Sequence, residues 1–398
     1  MCAEIRMSKK ELDRVTIVLR ILSGELSLGR AAKMLGISTR QMKRIKKKYR
    51  DKGPAGLIHG NRNRPSNHKL DPAVKETILK HCQDELKGFG PTLASEKLKE
   101  CYDVEISRES LRKILIAKGL HTARRRHKSF KQRRIRREHF GELVQIDGSK
   151  HDWFEGRRPP CMLMNMVDDA TGITFSMFFE EETSMAVMTV VWGWITKYGI
   201  MEALYSDHKN TYVNDTEPTI EQQLSGKLPT NDFMEACKEL GIEIIAANTP
   251  QAKGRVERNH GVYQDRLVKE MRLRQISTIE EANRLLHEYF INDLNRRFSI
   301  PAKSEEDRHV ALLNKDLSPI FCFRQERTVS NDFIIRYKNR FFQITRKSKV
   351  RPQPGKRVLI KEWLDGSIHI ETMKGNSVTT EEITEKLKGG SVSYSKSA

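Results

Sequence analysis

The 398-residue chain holds no run of 18 apolar residues, which argues against a membrane-spanning helix. Its opening stretch, MCAEIRMSKKELDR, lacks the apolar centre of a secretion signal. Cysteine is scarce and scattered. Cys2, Cys82, Cys101, Cys161, Cys237 and Cys322 form no C-x-x-C pair and no Cys/His spacing suited to zinc. No disulfide framework is expected, and a reducing cytoplasm fits. The first third of the chain also lacks negative charge. Residues 1–140 carry 36 lysines and arginines against 15 aspartates and glutamates, which leaves +21; the remaining residues carry 36 against 37. The whole excess of a chain of net charge +20 therefore sits in one segment. A solvated surface does not need such segregation, whereas a module that binds a polyanion does.

With 37% hydrophobic and 31% charged residues the chain reads as soluble and globular, with two to four domains. Three helices are expected in 8–50. The first, KKELDRVTIVLRILSG, places Leu12, Val15, Leu19 and Leu22 at helical spacing. The second, LGRAAKML, follows a capping candidate, Ser27. The turn GIS leads to the third, TRQMKRIKKKYR. Ala32 permits close helix approach and Gly36 a sharp turn, while Ile37, Met42 and Ile45 face inward. Thr39, Arg40, Gln41, Lys43, Arg44 and Lys47 are then left to face outward, the layout of a recognition helix whose Arg and Gln can read base edges. A plain helical bundle with a basic face is the blander reading.

The stretch 53–67 is rich in Gly, Pro and Asn and reads as a linker. A second three-helix unit follows, with Pro72 after Asp71, Ser107 as a cap, and Leu111, Ile114 and Leu115 on its core face. It is either another helix-turn-helix, with Arg108 and Arg112 towards DNA, or a packing module. The run Arg124, Arg125, Arg126, Lys128, Lys131, Arg133, Arg134, Arg136 and Arg137 repels itself in isolation and orders against phosphates.

From Gly141 the texture changes to three meandering strands followed by alternating helices and strands, which predicts a mixed sheet covered by helices. Three acids stand out there. Asp147 lies mid-strand in VQIDGS, where a carboxylate must be paired, hydrogen-bonded or metal-bound. Asp207 sits just after EALYS, at a strand's C-terminal end, where open α/β sheets place their sites. Glu257 lies near a helix start in KGRVER, off the stripe of Val256, Tyr263 and Leu267. Gly254 and Gly261, at i−3 and i+4, leave room beside it. Three carboxylates from separate elements suit a pair of Mg²⁺ ions about 3.5–4 Å apart, with Mn²⁺ able to substitute, bracketing an in-line displacement at phosphorus. Lys253, Arg255 and Arg258 would then hold the DNA backbone. Asp168 and Asp169, which end a strand before ATG, read as turn or ion-pair residues rather than a first catalytic position. His208 reads as a loop residue, with a phosphate or metal-bound water as its alternative contact.

The segments QIDGS, VDDATG, YSDHKN and TPQAKGRVERNHGVYQDRLVKE resemble the catalytic core of DDE transposases and integrases of bacterial insertion sequences, the ISNCY type above all. The resemblance covers most of the chain, including the helix-turn-helix region. It implies a ribonuclease H-like core with a five-stranded mixed sheet. It also implies that Asp147, Asp207 and Glu257 are the catalytic and metal-binding acids. Two departures from that pattern are the DHKN at the second acid and the spacing of 50 between the second and third. The polar stretch 211–231 accounts for the spacing as a surface loop, which costs little; a clamp on DNA is the other reading.

A long helix, TIEEANRLLHEYFINDLNRRFSIP, is expected next, then short β runs that form a small barrel, SH3-like by resemblance, and a disordered tail. The expected division is helix-turn-helix 1–53, linker 54–69, second helix-turn-helix-like unit 70–121, basic linker 122–140, catalytic core 141–300, linker 301–319, barrel 320–385 and tail 386–398. The resulting expectation is a cytoplasmic DNA transposase with no membrane contact. It binds terminal inverted repeats and target DNA as a dimer or larger homo-oligomer, hydrolyses a phosphodiester and transfers the strand. A DNA-binding regulator with a dead core and a nuclease without joining activity are the alternatives.

Overall fold

The computed structural model describes residues 7–62, 70–122, 135–207, 212, 230–246, 254–313 and 315–383. They divide into two compact units, one of 1–88 with 97–107 and the other of 89–96 with 108–398.

In the first unit, α1 (Lys9–Leu22), α2 (Leu28–Met34) and α3 (Thr39–Lys52) form the expected helix-turn-helix. Each N-terminus is capped by a serine. Ser27 accepts from the Arg30 N–H and Ser38 from the Gln41 N–H, while Ser8 and Glu11 form a reciprocal capping box. Gly36 turns the chain at a φ of 61°, a conformation that favours glycine. The core holds Ile17, Val18, Ile21, Ala31, Ala32, Met42, Ile45 and Leu57. The expected face of α1 is therefore corrected. Leu12, Leu19 and Leu22 are exposed, and the buried stripe is Glu11, Ile17, Val18 and Ile21. Glu11 explains the choice, because its carboxylate accepts from the backbone N–H of His59 at 2.9 Å and pairs with Arg62, which ties down the segment after α3. Beyond it, α4 (Pro72–Gln83) opens with Pro72 while Asp71 caps Ala73, as expected. The boundary between the units runs through α5 (Pro91–Tyr102). The helix α6 (Arg108–Ala117), already in the second unit, buries Leu111 and Leu115.

The second unit is built on a five-stranded mixed sheet of order β3-β2-β1-β4-β5. The strands are β1 (Leu143–His151), β2 (Cys161–Asp168), β3 (Thr174–Phe179), β4 (Ala203–Ser206) and β5 (Glu243–Ala246). Strands β1 to β3 run antiparallel, and β4 and β5 pair parallel to β1 and to each other. The parallel part needs crossover helices, supplied by α7 (Ser184–Tyr198) and α8 (Asp232–Leu240). The α7 helix is apolar nearly all round, as a helix enclosed by other elements must be, and its Trp194 is fully buried. The long helix α9 (Gly254–Leu273) follows. The expected single helix after it is α10 (Ile279–Leu285), a π turn over Leu286–Phe290, and α11 (Ile291–Phe298).

The last strands are β6 (Cys322–Thr328), β7 (Ile334–Tyr337), β8 (Arg340–Ile344), β9 (Arg357–Trp363), β10 (Ile368–Thr372) and β11 (Thr380–Ile383). Lys338 and Asn339, both at positive φ, make the two-residue turn between β7 and β8. A closed barrel is not seen. Among the described residues β6, β9 and β10 form one sheet and β7, β8 and β11 another, with no strand pairing between them. Both sheets instead bury apolar residues in a common core, with Ile335, Tyr337, Phe342 and Ile344 from one and Val358, Ile360 and Ile370 from the other.

Candidate active site

Side chains alternate across a strand, so Gln145, Asp147 and Ser149 share one face of β1. That face carries α9. The Gln145 side-chain oxygen accepts the backbone N–H of Val256 at 3.2 Å, and Gln264 donates to Ser149 Oγ at 3.3 Å. Asp147 lies between these two contacts. Opposite it on β2 is Asn165, whose amide donates to Asn259 of α9 at 2.8 Å. The same polar layer continues through Thr174, Ser176 and Tyr263, whose hydroxyls and phenol bond to one another and to Asn165. Burial pushes the Tyr263 phenol up to about 12, so it stays a neutral partner at ordinary pH. The helix is thus seated on the sheet by directional bonds that fix its rotation.

The β1–β4 pairing aligns Leu143 with Ala203, Val144 with Leu204 and Gln145 with Tyr205. Continuing that constant offset brings Asp147 into line with Asp207, one residue beyond β4. Asp147 therefore lies in the middle of β1, in line with Asp207 just past the C-terminal end of β4. Tyr212 feels the charges of both acids. Burial first, and then the charges of Glu182, Asp147 and Asp207, push its phenol well above the ordinary range. Tyr212 is fully buried, packs edge-on against Phe233 and donates to Glu182 Oε1 at 3.0 Å.

Glu257 lies in the first turn of α9 and is exposed, while Val256, His260, Tyr263 and Leu267 face the protein. A side chain at Gly254 or Gly261 would meet open space, which confirms the expected room beside Glu257. The strand register thus lines Asp147 up with Asp207, and Glu257 is exposed in the first turn of α9. Among the described residues no three His, Cys, Asp or Glu side chains form a ready-made metal cage.

Asp168 and Asp169 have structural duties. Asp168 Oδ1 accepts from the Thr171 N–H and hydroxyl, and its Oδ2 accepts from the Gly141 N–H, closing the turn after β2. Burial raises its pKa. Asp169, fully buried, accepts from Gln145 at 2.9 Å and pairs with Arg255 Nε at 2.6 Å. Arg136 donates to the Ala170 carbonyl at 2.9 Å. Burial, and then the nearby Arg255, lower its pKa, with Arg258 adding to the effect and Asp169 opposing it. Arg255 and Arg136 therefore both reach the Asp169–Ala170 turn near the start of α9.

In α3, Thr39, Arg40, Gln41, Lys43, Arg44 and Lys47 are all exposed while Met42 and Ile45 are buried. Arg108 is exposed, and Arg112 makes a two-pronged pair with Glu109, both contacts 2.8 Å. Arg124, Arg125, Arg126, Lys128, Lys131, Arg133, Arg134, His208 and Lys253 lie outside the described residues, as do the 386–398 tail and most of 211–231. Within that last stretch the surface-loop expectation fails at Tyr212, whose apolar ring is worth more buried than exposed. Sequence reasoning missed the Tyr212–Glu182 hydrogen bond, because Tyr212 lies in a polar stretch.

Comparison with known proteins places this geometry in context. The winged helix-turn helix family matches residues 14–76. The chain is 34% identical over 377 residues to "Putative transposase y4bF" of Sinorhizobium fredii, covering 94% of this chain and 81% of that one. It is 28% identical to the transposase for insertion sequence IS1202 of Streptococcus pneumoniae, covering 90% and 84%. Among solved structures, the catalytic core domain of BIV integrase aligns with 37% of this chain and 80% of its own, at 22% identity and a TM-score of 0.28.

Proposed function

This chain belongs to the family of insertion-sequence transposases, a DNA transposase with a helix-turn-helix DNA-binding region, and we propose from that premise how it cuts and joins DNA. Asp147, Asp207 and Glu257 are its catalytic carboxylates. The observation that carries this reading is the alignment of Asp147 with Asp207 on adjacent parallel strands, under a helix that bears Glu257 in its first turn. The donor set fits Mg²⁺ or Mn²⁺, because all three ligands are hard carboxylate oxygens. Two such ions, when bound, lower the pKa of an attacking water and neutralise charge at the scissile phosphate.

The protein's own groups supply position. Gln145 and the Asn165–Asn259 pair hold α9 against β1, so the backbone carrying Glu257 is fixed relative to Asp147. Water attacks the phosphorus at the element's end, and the bond to the 3′ oxygen breaks, leaving a 3′-OH and a 5′-phosphate. That hydroxyl then attacks a target phosphodiester, forming a new P–O bond while the bond to the target strand's own 3′ oxygen breaks and that oxygen leaves as a 3′-OH. No covalent enzyme intermediate is needed, and the work is positioning and charge stabilisation.

DNA is held elsewhere. Residues 1–53 bind the terminal inverted repeats, with Thr39, Arg40, Gln41, Lys43, Arg44 and Lys47 of α3 in the major groove. The 70–121 unit adds Arg108 and Arg112. The basic stretch 122–140, with Arg124, Arg125, Arg126, Lys131, Arg133 and Arg134, tracks phosphates. Lys253, Arg255 and Arg258 hold the backbone beside the core, 141–300. The two sheets packed on a common core in 320–385 serve DNA or a neighbouring subunit, and a dimer or larger assembly brings two ends together. The enzyme works on DNA in the cytoplasm.

The test is cleavage and strand transfer of a labelled terminal-repeat duplex in Mg²⁺. Asp147→Asn, Asp207→Asn and Glu257→Gln should each abolish both steps while leaving end binding nearly intact. Near-normal strand transfer by any one of them removes that residue from the assignment.

A further inference from the structure

We propose that Asn283 and Asn295 stand in for a sixth strand of the core sheet and close the edge of β3 against a second copy of this chain. In the sheet order β3 is an edge strand, and among the described residues no strand pairs with its outer side. Its sequence, TFSMFF, holds three phenylalanines and no charge, proline or glycine. Such a segment, left with a free row of N–H and C=O groups, is a template for a strand from another molecule.

Two side chains occupy that row instead. Asn295 Oδ1 accepts the Thr174 N–H at 2.8 Å, and its amide donates to the Thr174 carbonyl at 3.0 Å. Near the other end of β3, Asn283 Oδ1 accepts the Phe178 N–H at 2.7 Å, and its amide donates to the Phe178 carbonyl at 3.0 Å. Each asparagine thus bonds both backbone groups of one strand residue. A side-chain amide has the acceptor and donor that a neighbouring peptide unit would present. In an antiparallel ladder a residue exchanges both bonds with its partner, and the asparagines reproduce that exchange. An apolar side chain in either place would cover the strand and leave its polar groups unsatisfied.

The π turn explains how one helical segment reaches both places. Asn283 lies in α10 and Asn295 in α11, 12 positions later. At about 100° per residue an unbroken α-helix would carry Asn295 roughly 120° round from Asn283. The turn at Leu286–Phe290 lies between them. Its wider bonding takes up about one residue, which brings the two asparagines to within roughly 20° of each other. Both then face the same strand.

The test is hydrogen exchange of the full-length protein without DNA, read residue by residue by mass spectrometry, together with sedimentation velocity over a range of concentrations. In the parent the Thr174 and Phe178 amides should be protected although they lie at a sheet edge. Asn295→Leu should speed exchange at Thr174 by about tenfold or more and leave Phe178 near its parent rate. Asn283→Leu should do the reverse. The double variant should assemble beyond the parent's own size as concentration rises. In those assemblies both amides should become protected again, because a second copy's strand now bonds them. If the two amides exchange as fast in the parent as in the variants, the asparagines do not hold the strand and the proposal falls. It falls equally if the freed double variant keeps the parent's size at every concentration, or if it assembles with both amides still exchanging fast. Should the double variant fail to fold, the single variants decide by the same two measurements.

Discussion

The side-chain oxygen of Gln145 accepts the backbone N–H of Val256, and each residue stands beside an acid: Gln145 two before Asp147, Val256 one before Glu257. One hydrogen bond thus links the strand of Asp147 to the first helical turn that carries Glu257, two of the proposed catalytic acids. The bond satisfies an N–H that a helix start leaves without an intrahelical partner.

Gln145→Met should break this tie at nearly constant volume. The Val256 N–H and an oxygen of Asp169 would each lose a partner, at a cost of about 1–3 kcal/mol in stability. Single-turnover cleavage should slow by roughly tenfold or more while end-DNA affinity holds, because misplacing a catalytic group by a fraction of an ångström costs rate. Unchanged cleavage with reduced stability would mean that the bond supports the fold alone.

Arg255 and Arg258 should separate in urea denaturation. Arg255 is held by fully buried Asp169 at 2.6 Å. Asp169→Asn leaves that guanidinium without its countercharge and should cost about 3–5 kcal/mol. Arg255→Ala should likewise destabilise the core as well as weaken DNA binding. Arg258→Ala, at an exposed position, should lower DNA affinity alone. Equal stability losses for the two arginine variants would contradict the division of labour.

The helix-turn-helix unit should weaken in acid through Glu11. Hydrogen bonds from the backbone N–H of Ser8, and then of His59, hold its carboxyl at about 2, below its ordinary value of 4.5. A carboxyl whose folded pKa is depressed stabilises the fold above its unfolded value and loses that contribution as pH falls through the folded one. The effect of Glu11 should therefore be complete above pH 4.5 and decline towards 2. Thermal melts across that range should show a smaller acid loss for Glu11→Gln than for the parent; parallel curves would remove Glu11 from the account.

End recognition should depend on α3. Arg40→Ala and Arg44→Ala should each cost roughly 1–3 kcal/mol of affinity for the terminal repeat if they read bases. Lys47→Ala, as a phosphate contact, should weaken all duplexes alike and reduce the slope of log K against log salt by about 0.9. Gel-shift titrations against specific and unrelated duplexes decide between these outcomes. A uniform loss in every variant would reduce α3 to an electrostatic footing.

Much of this was legible in the sequence because the signals are local. Ser27 and Ser38 announce helix starts, and Met42 and Ile45 mark the buried side of α3. The five strands of the core stand out as apolar runs, and Asp147 and Asp207 draw attention as acids at strand positions that disfavour charge. The stripe of α1 was misread because TIVLRIL is apolar on more than one side, so periodicity permits two faces and only Glu11's distant partners select one. The Tyr212–Glu182 hydrogen bond was illegible for the same reason. In FFEEET Glu182 is one of three consecutive acids, and only a tyrosine 30 residues later distinguishes it. Tyr212 lies in a polar stretch whose composition predicts exposure.

The central strand β1 finds β2 through a nearby hairpin but must wait for β4, some 60 residues later, to acquire its parallel neighbour. Pairings across such separations form late, since chain entropy is spent before the contact repays it. A polypeptide still being synthesised, or one clipped between β3 and β4, can hold Asp147 in a finished hairpin and still lack Asp207. On the proposed assignment, the three acids are all present only once the chain of 398 residues has been made past Glu257.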